Sequence, residues 1–377
     1  MPTTASSVEW ARVVNTTIRE YLKVEEVAVT RRRILLAMMK AKGRIQYNKS
    51  GDGVSWPVRY RRAKLVINNG QQNLSFQGEN RWQLAYLDYA GYAVTDAMTK
   101  REKLKNRGPQ AIVNVFGRMI PLLMEDLEDQ FSEEIYVDSN ASGNIGRMSG
   151  IETMLENNGT VTISSGAQRS ANAADAVGYP SATYATLSTQ LGYYGGTWGE
   201  GTAQTTISTT WPSSRGDAEY DFFSPVLVNY TCSALGGTAW STNAKTATRF
   251  GIRKMKRNSK ATVPLVLMDD DLYRQYLETL DTKERVNIEN TGLRKLGFED
   301  AIYQDGAEIT SEYGIPPAVG YGFNIDAMEL LSMQAGIFEA EGPEYDQATR
   351  SYRVAVDCIG QFKFQSPRNF MALKTYA

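Results

Sequence analysis

Between residues 109 and 136 apolar side chains recur every three or four positions: Ile112, Phe116, Ile120, Leu123, Leu127, Phe131 and Ile135. That is the period of a helix buried along one stripe. It predicts a helix over 109–136, about 28 residues and ~42 Å long at 1.5 Å per residue. Pro109 suits its first turn. Pro121 removes one backbone bond, and its ring presses on the carbonyl of Gly117. The second half is acidic, with Glu125, Asp126, Glu128, Asp129, Glu133 and Glu134. Such a helix is either a strut with one acidic flank or an ordinary long core helix.

A different period governs residues 54–76. Val54, Trp56, Val58 and Tyr60 alternate with Ser55, Pro57, Arg59 and Arg61, the pattern of a strand. Asn69-Gly70 is a tight-turn signal, because both central residues of a type I′ turn take positive φ. A second strand is therefore expected from about Gln71, with Leu74 and Phe76. Pro57 confines the first strand to an edge or to a ribbon standing away from a sheet. Arg59, Arg61, Arg62 and Lys64 make this hairpin basic, and it has too little apolar surface to stand alone.

Residues 7–42 read as helical but poorly spaced, an arm that needs a partner surface. Only five of the 61 residues in 156–216 are charged, and Gly, Ser, Thr and Ala dominate. Tyr184, Tyr193, Tyr194, Trp198 and Trp211 punctuate that stretch, which favours irregular β structure over disorder. A strand is expected at Thr205–Trp211, and another over Phe222–Cys232. Val263–Met268 reads as a buried strand, and Asp269 as the cap of a helix bearing Leu272, Tyr273, Tyr276, Leu277 and Leu280. Short strands are expected near Ile302, Ile309 and Tyr321. A last strand carries the stripe Tyr352, Val354, Val356, Cys358, then Phe362 and Phe364. No solenoid repeat is present.

Composition narrows the function classes. The 377 residues include no His and two Cys. Without His there is no Ser-His-Asp triad, no Cys-His pair and no His-ligated zinc or iron site. Cys232 and Cys358 make no disulfide framework and fit a reducing compartment. No run of 18 apolar residues is present, so no membrane helix is expected. The N-terminus lacks the basic start and apolar stretch of a secretory signal, so a soluble chain made in the cytoplasm is expected.

Charge adds an asymmetry that the net value of −1 hides. Residues 1–107 carry 20 basic and 9 acidic side chains, a net of +11, and the remainder carry a net of −12. The positive part meets nucleic acid, or it meets the negative part of another copy; both faces being merely solvated is the third reading. Near-cancellation favours self-association over nucleic acid.

Candidate chemical sites are weak. Gly43-Arg44-Ile45-Gln46-Tyr47-Asn48-Lys49-Ser50 misses the phosphate-binding loop GxxxxGK[ST], because Asn48 replaces the second Gly and no buried strand precedes it. Asp269-Asp270-Asp271 suggests a hard cation, but acidic residues also favour a helix's first turn. Carboxylate pairs such as Glu133-Glu134 suit glycosidase-like chemistry in principle, and nothing selects one pair. The basic stretch Arg249–Lys260 fits nucleic acid or a neighbour's acidic flank, yet only Phe250 interrupts it. Cys232 reads as a small core residue. No catalytic residue, cofactor or metal is assigned.

An unsatisfied arm, a projecting basic hairpin, a long strut helix and a β-rich remainder thus follow in order. That order resembles the major capsid proteins of tailed bacteriophages, the HK97-type fold. The resemblance covers most of the chain. It is carried by Trp56-Pro57-Val58-Arg59-Tyr60, Asn106-Arg107-Gly108, Leu127-Glu128-Asp129, Gly150-Ile151-Glu152-Thr153-Met154 and Thr209-Thr210-Trp211. It continues through Val263–Met268, Leu296-Gly297-Phe298-Glu299-Asp300, Tyr321-Gly322-Phe323-Asn324, Gly342-Pro343-Glu344, Gly360-Gln361 and Pro367-Arg368-Asn369-Phe370. No single piece is specific; their order and spacing are.

The resemblance implies an α+β chain with an N-terminal arm at 1–43 and an extended hairpin loop at 44–80. It implies a peripheral domain at 81–150 and 335–377, with spine helix 109–136. The axial domain would be 151–334, carrying the insertion 156–216. It further implies a non-enzymatic shell protein that forms pentamers and hexamers of an icosahedral capsid around double-stranded DNA, without sequence specificity. The chain would be made in the host bacterium and located in the virion, with a portal and a decoration protein as partners and no membrane; about 40 residues ahead of the loop imply a separate scaffolding protein, or none, or a chain already trimmed. Intersubunit contact is expected at Trp56, Arg59, Arg61, Arg62 and Lys64 of the loop against Glu125, Glu128, Asp129 and Glu133 of a neighbour's spine. A bacterial encapsulin, which shares the fold but holds cargo enzymes, is the alternative. A carboxylate-dependent hydrolase is a further one.

Overall fold

Two sheets share one apolar interior in the computed structural model, which describes residues 34–60, 70, 81–105, 115–155, 177–178, 182–189, 223–258, 265–280 and 301–375. Helix α1 (Ile34–Ala41) leads into strand β1 (Ile45–Gln46). Strands β2 (Gly53–Arg59) and β3 (Trp82–Asp88) make the base of a ribbon, and β4 (Ala90–Thr99) runs on into helix α2 (Lys100–Lys105). Helices α3 (Val115–Glu134) and α4 (Glu152–Leu155) follow, then the two-residue strands β5 (Val177–Gly178), β6 (Thr183–Tyr184) and β7 (Leu187–Ser188). Next come β8 (Val226–Asn229), α5 (Trp240–Asn258), β9 (Leu265–Met268) and α6 (Asp270–Thr279). The chain closes with β10 (Ile302–Gln304), β11 (Ala307–Ser311), β12 (Gly320–Phe323), β13 (Met328–Ser332), β14 (Glu339–Asp346), β15 (Ser351–Phe364) and β16 (Met371–Lys374).

The seven-stranded sheet runs β10-β11-β9-β12-β16-β8-β5. Its central strands are apolar on both faces, as a sheet covered on both sides requires. Val226, Val228, Val266 and Met268 point to a layer made by α5 and α6, where they meet Ala244, Ala247, Ile252, Leu272 and Tyr276. Leu227, Leu265, Leu267 and Ala372 point the other way, into the larger core. Trp240 joins the two helices, its indole donating to the Leu272 carbonyl at 2.9 Å.

The five-stranded sheet is organised by β15, which pairs antiparallel with β4 along one edge and with β14 then β13 along the other. One face of β4 and β15 lies on α3, where Leu123, Leu127, Phe131, Val354, Val356 and Phe362 are buried. The alternation expected at Tyr352, Val354, Val356 and Cys358 is observed within β15. The helix expected over 109–136 is observed from Val115 to Glu134, with Pro121 inside it; residues 109–114 lie outside the described residues.

Two sequence expectations change, and part of a third lies outside the described residues. Residues 34–41, grouped with the arm, are a buried helix: Ile34, Leu35 and Met39 are fully enclosed. The described part of the first hairpin strand pairs with β3, Gly53 opposite Asp88 and Arg59 opposite Trp82, and the strand expected from about Gln71, with Leu74 and Phe76, lies outside the described residues. The tail does not stay with one sheet. After β15 the turn at Pro367–Asn369 sends β16 into the seven-stranded sheet between β12 and β8, while β13 lies in the five-stranded one. The strand expected at Thr205–Trp211 lies outside the described residues.

Candidate assembly surfaces

The ribbon base has one anchored face and one bare face. Val54, Trp56 and Val58 of β2 and Ala85 and Leu87 of β3 are buried. Trp56 faces the chain's own core rather than outward: its indole N–H donates to the Gln365 carbonyl at 3.2 Å, and Lys363 Nζ sits 5.5 Å over its ring. On the other face Ser55, Pro57 and Arg59 stand exposed beside Trp82 and Leu84, which keep 55% and 60% of their surface. Because Pro57 faces Leu84 across the ribbon, this bare face is apolar with a basic end at Arg59. The ribbon narrows at Tyr60, whose amide donates to the Arg81 carbonyl at 3.1 Å. Arg61, Arg62 and Lys64 lie outside the described residues.

The acidic flank of α3 is only partly a surface. Asp126 and Glu133 are exposed, Glu125 and Glu128 are half-buried, and Asp129 and Glu134 are buried. Glu134 is used internally. It accepts from the Tyr92 hydroxyl at 2.6 Å and from Arg147 Nε at 3.0 Å. The Tyr92 oxygen in turn accepts the Met148 amide at 2.7 Å. Burial, with the Glu134 hydrogen bond, holds the Tyr92 phenol well above its ordinary range. Of the four acidic residues expected at the contact, the structure leaves Glu133 fully presented and encloses Asp129.

The other candidate chemistry is absorbed by the fold. In the 43–50 loop the amides of Asn48 and Lys49 donate to the Gln334 and Ser332 carbonyls, both at 3.0 Å, so they do not cradle a phosphate. Asp269 precedes the first turn of α6 and accepts the Ala318 amide at 3.2 Å, while Asp270 and Asp271 occupy that turn. Arg249 is bound to Asp305 at 2.7 Å, and Lys256 donates to the Asp305 carbonyl. Cys232 and Cys358 are buried, and burial pushes the Cys358 thiol up to about 12. Among the described residues no group of three or more Cys, Asp or Glu side chains is placed to hold a metal ion, and no helix is long and apolar enough to cross a membrane.

One buried carboxyl joins three parts of the chain. Glu312, just after β11, accepts the Leu35 amide at 3.1 Å and so caps the start of α1, with Tyr136 as its neighbour beyond the end of α3. Burial raises its pKa from 4.5 to about 8.

Comparison with known proteins finds no matching family model and no matching curated protein. Solved structures do match over nearly the whole chain. The capsid asymmetric unit of cyanophage A-1(L) aligns with 95% of this chain and 96% of its own, at a TM-score of 0.59 and 12% identity. The capsid of the native GTA particle aligns over 100% of both chains at 0.53 and 9% identity. The capsid of cyanophage P-SCSP1u aligns with 100% of this chain and 99% of its own at 0.51 and 10% identity. This chain has the HK97-type capsid fold. That is the α+β class expected from the order of its motifs.

Several of those motifs mark close approaches within the HK97-type fold. A Cβ on Gly150 would sit 2.4–2.7 Å from the carbonyl oxygens of Val137, Ile135 and Glu134, so only glycine lets the chain return against the end of α3. A Cβ on Gly360 would lie 2.5 Å from the Leu331 oxygen, where β15 pairs with β13. Trp82, Leu84 and the acidic edge of β14 are surface features the sequence reading missed. Alternation around Trp82 was a usable signal, but apolar residues fall on both faces of β3 and blur it.

Proposed function

We propose that this chain is the major capsid protein of a tailed phage, a non-enzymatic subunit that assembles with copies of itself into pentamers and hexamers of an icosahedral shell. The observation that carries the reading is the ribbon. It combines an anchored inner face with an outer face on which Trp82 and Leu84 remain more than half exposed. Large apolar patches on a soluble chain mark interaction surfaces. The alignment with capsid structures over essentially the full chain supports it.

In this reading residues 44–80, with β3, form a loop that lies on a neighbouring copy. The peripheral domain is β4, α3, β14 and β15. The axial domain is the seven-stranded sheet with α5 and α6, and it takes β16 with it. Arg59, Arg61, Arg62 and Lys64 face acidic residues of the neighbour, Glu133 among them. Double-stranded DNA is the content of the shell, and a scaffolding protein, a portal and a decoration protein are its other partners, in a virion built inside a bacterium. Individual exposed ion pairs contribute about 0–1 kcal/mol, so a shell held by many of them assembles cooperatively while each contact stays correctable.

Velocity sedimentation of the expressed chain tests this. Fast-sedimenting particles far above the 41.9 kDa of one chain are expected. A monomer at all salt concentrations, with crowding agents and with a scaffolding partner supplied, would contradict the reading. Particles that hold a cargo protein and never DNA during phage growth would favour an encapsulin.

A further inference from the structure

The β4–β15–β14 sheet carries two exposed patches of opposite charge, one at its distal end and one along β14. The first is the basic tip. Here β4 runs into α2 through a reciprocal cap: the Thr99 amide donates to Glu102 Oε2 at 2.8 Å, and the Glu102 amide donates to Thr99 Oγ1 at 3.2 Å. The Lys100 amide donates to the Arg350 carbonyl at 3.0 Å, tying α2 to the turn between β14 and β15. Lys100, Arg101 and Arg350 are thereby fixed side by side and exposed, and none forms a salt bridge among the described residues. With Leu104, 57% exposed, they line an open hollow of about 500 Å³.

The second patch is the free edge of β14. Glu339, Glu341 and Glu344 are exposed along it, and none forms a salt bridge among the described residues. Asp346 is already occupied, by Arg353 at 2.6 Å and by Thr349 at 2.7 Å. The pairing with β15 shifts between Glu341 and Glu344, and Pro343 lies in that gap. A bulge and a proline blunt an edge against addition of another strand. What the edge offers is carboxylates rather than a backbone ladder.

No salt bridge joins the two patches within one chain among the described residues; Lys100 Nζ instead sits 5.9 Å over the ring of Tyr345 in β14. We propose that the basic tip of one copy, at Lys100, Arg101 and Arg350, docks against the acidic β14 edge of a second copy, at Glu339, Glu341 and Glu344. The occupant is a second copy because the chain itself carries the complementary charge, exposed on the same sheet and without a salt bridge of its own among the described residues. The contact joins unlike surfaces, so it propagates from copy to copy and makes a ring where the rotation between copies closes. It rests on the assembly reading above but is separate from the ribbon.

Charge reversal tests it, with particle yield read by sedimentation and folding read by circular dichroism. The unmodified chain must first form particles; if it does not, the assembly reading fails and this proposal with it. Given particles, Lys100→Glu with Arg101→Glu should reduce yield about tenfold or more, and Glu341→Lys with Glu344→Lys should do the same, as like charges then face each other. Combining all four changes should restore most of the yield. Either pair assembling like the unmodified chain would overturn the proposal, as would a combined variant no better than the two pairs. A defect confined to the basic-tip pair would assign that tip to another polyanion and overturn it equally. Should a reversal disturb folding, Lys100→Gln with Arg101→Gln serves instead, and a yield equal to the unmodified chain's at every salt concentration would count against docking.

Discussion

Lys374 Nζ lies 2.5 Å from Glu152 Oε2, and both side chains are buried. The Tyr321 hydroxyl donates to the other oxygen of the same carboxylate. This cluster ties β16 and β12 of the seven-stranded sheet to α4. It therefore fixes the last strand of the chain against the junction of the two sheets.

Breaking that pair from one side should be severe. Lys374→Met leaves Glu152 charged, enclosed and short of a partner, an expected loss of about 3–5 kcal/mol. Lys374→Met with Glu152→Gln removes the charge as well and should recover most of that loss. Urea denaturation of the single and double variants, with unchanged m-value, checks the comparison.

Gly150→Ala should destabilise for a steric reason. The added methyl group meets three backbone oxygens, at 2.4, 2.6 and 2.7 Å, and backbone cannot rotate away. The Ile151 amide, which donates to the Ile135 carbonyl at 2.7 Å, would be displaced with it. A loss on the order of 2–4 kcal/mol is expected, read as a lowered denaturation midpoint.

Glu312 makes stability depend on pH. Its pKa is raised in the folded chain to about 8 from 4.5, because burial favours the neutral acid. The folded state thus binds the proton more tightly than the unfolded one. Stability is greatest at or below pH 4.5 as far as this group is concerned, and it falls as pH rises towards 8. Glu312→Gln keeps an oxygen for the Leu35 amide and carries no charge. It should flatten that slope and stabilise the chain on the order of 2 kcal/mol at pH 7. Thermal melts of both proteins from pH 5 to about 8.5 test the sign, and a variant less stable at pH 8 would refute the assignment.

The ribbon can be shortened without disturbing its anchor. Removing residues 61–80 and joining Tyr60 to Arg81 through an Asn-Gly turn retains β2, β3 and the Trp56 contacts. The product should fold with an unchanged melting temperature and lose particle formation. Trp82→Ser with Leu84→Ser should do the same, since both side chains are exposed in the single chain. Normal particles from either variant would remove the ribbon from the assembly reading.

Much of this architecture was legible in the sequence where one period persisted over many residues. The stripe from Ile120 to Ile135 and the alternation from Val354 to Cys358 each report one buried face of one element. The ribbon was legible only in part. β2 pairs with β3 from Gly53 opposite Asp88 to Arg59 opposite Trp82, and Gly70 takes a φ of +86°. Asn69 of the expected turn and the strand expected near Gln71 lie outside the described residues, and within β3 apolar residues on both faces hide the period. The return of β16 to the far sheet was not readable, because Met371–Lys374 depends on partners more than 140 residues away in β8. Among the expected contact residues, Trp56 and Asp129 are enclosed for the same kind of reason. Charge and aromaticity give composition along the chain, whereas burial depends on what the fold brings against it.

Electron microscopy of the sedimented fraction tests the central claim most directly. The account predicts closed shells of uniform diameter built from five- and six-membered rings, each ring subunit fitting the two sheets and the ribbon described above. Only isolated chains or irregular aggregates, from protein shown to be folded and tried with and without a scaffolding partner, would contradict it.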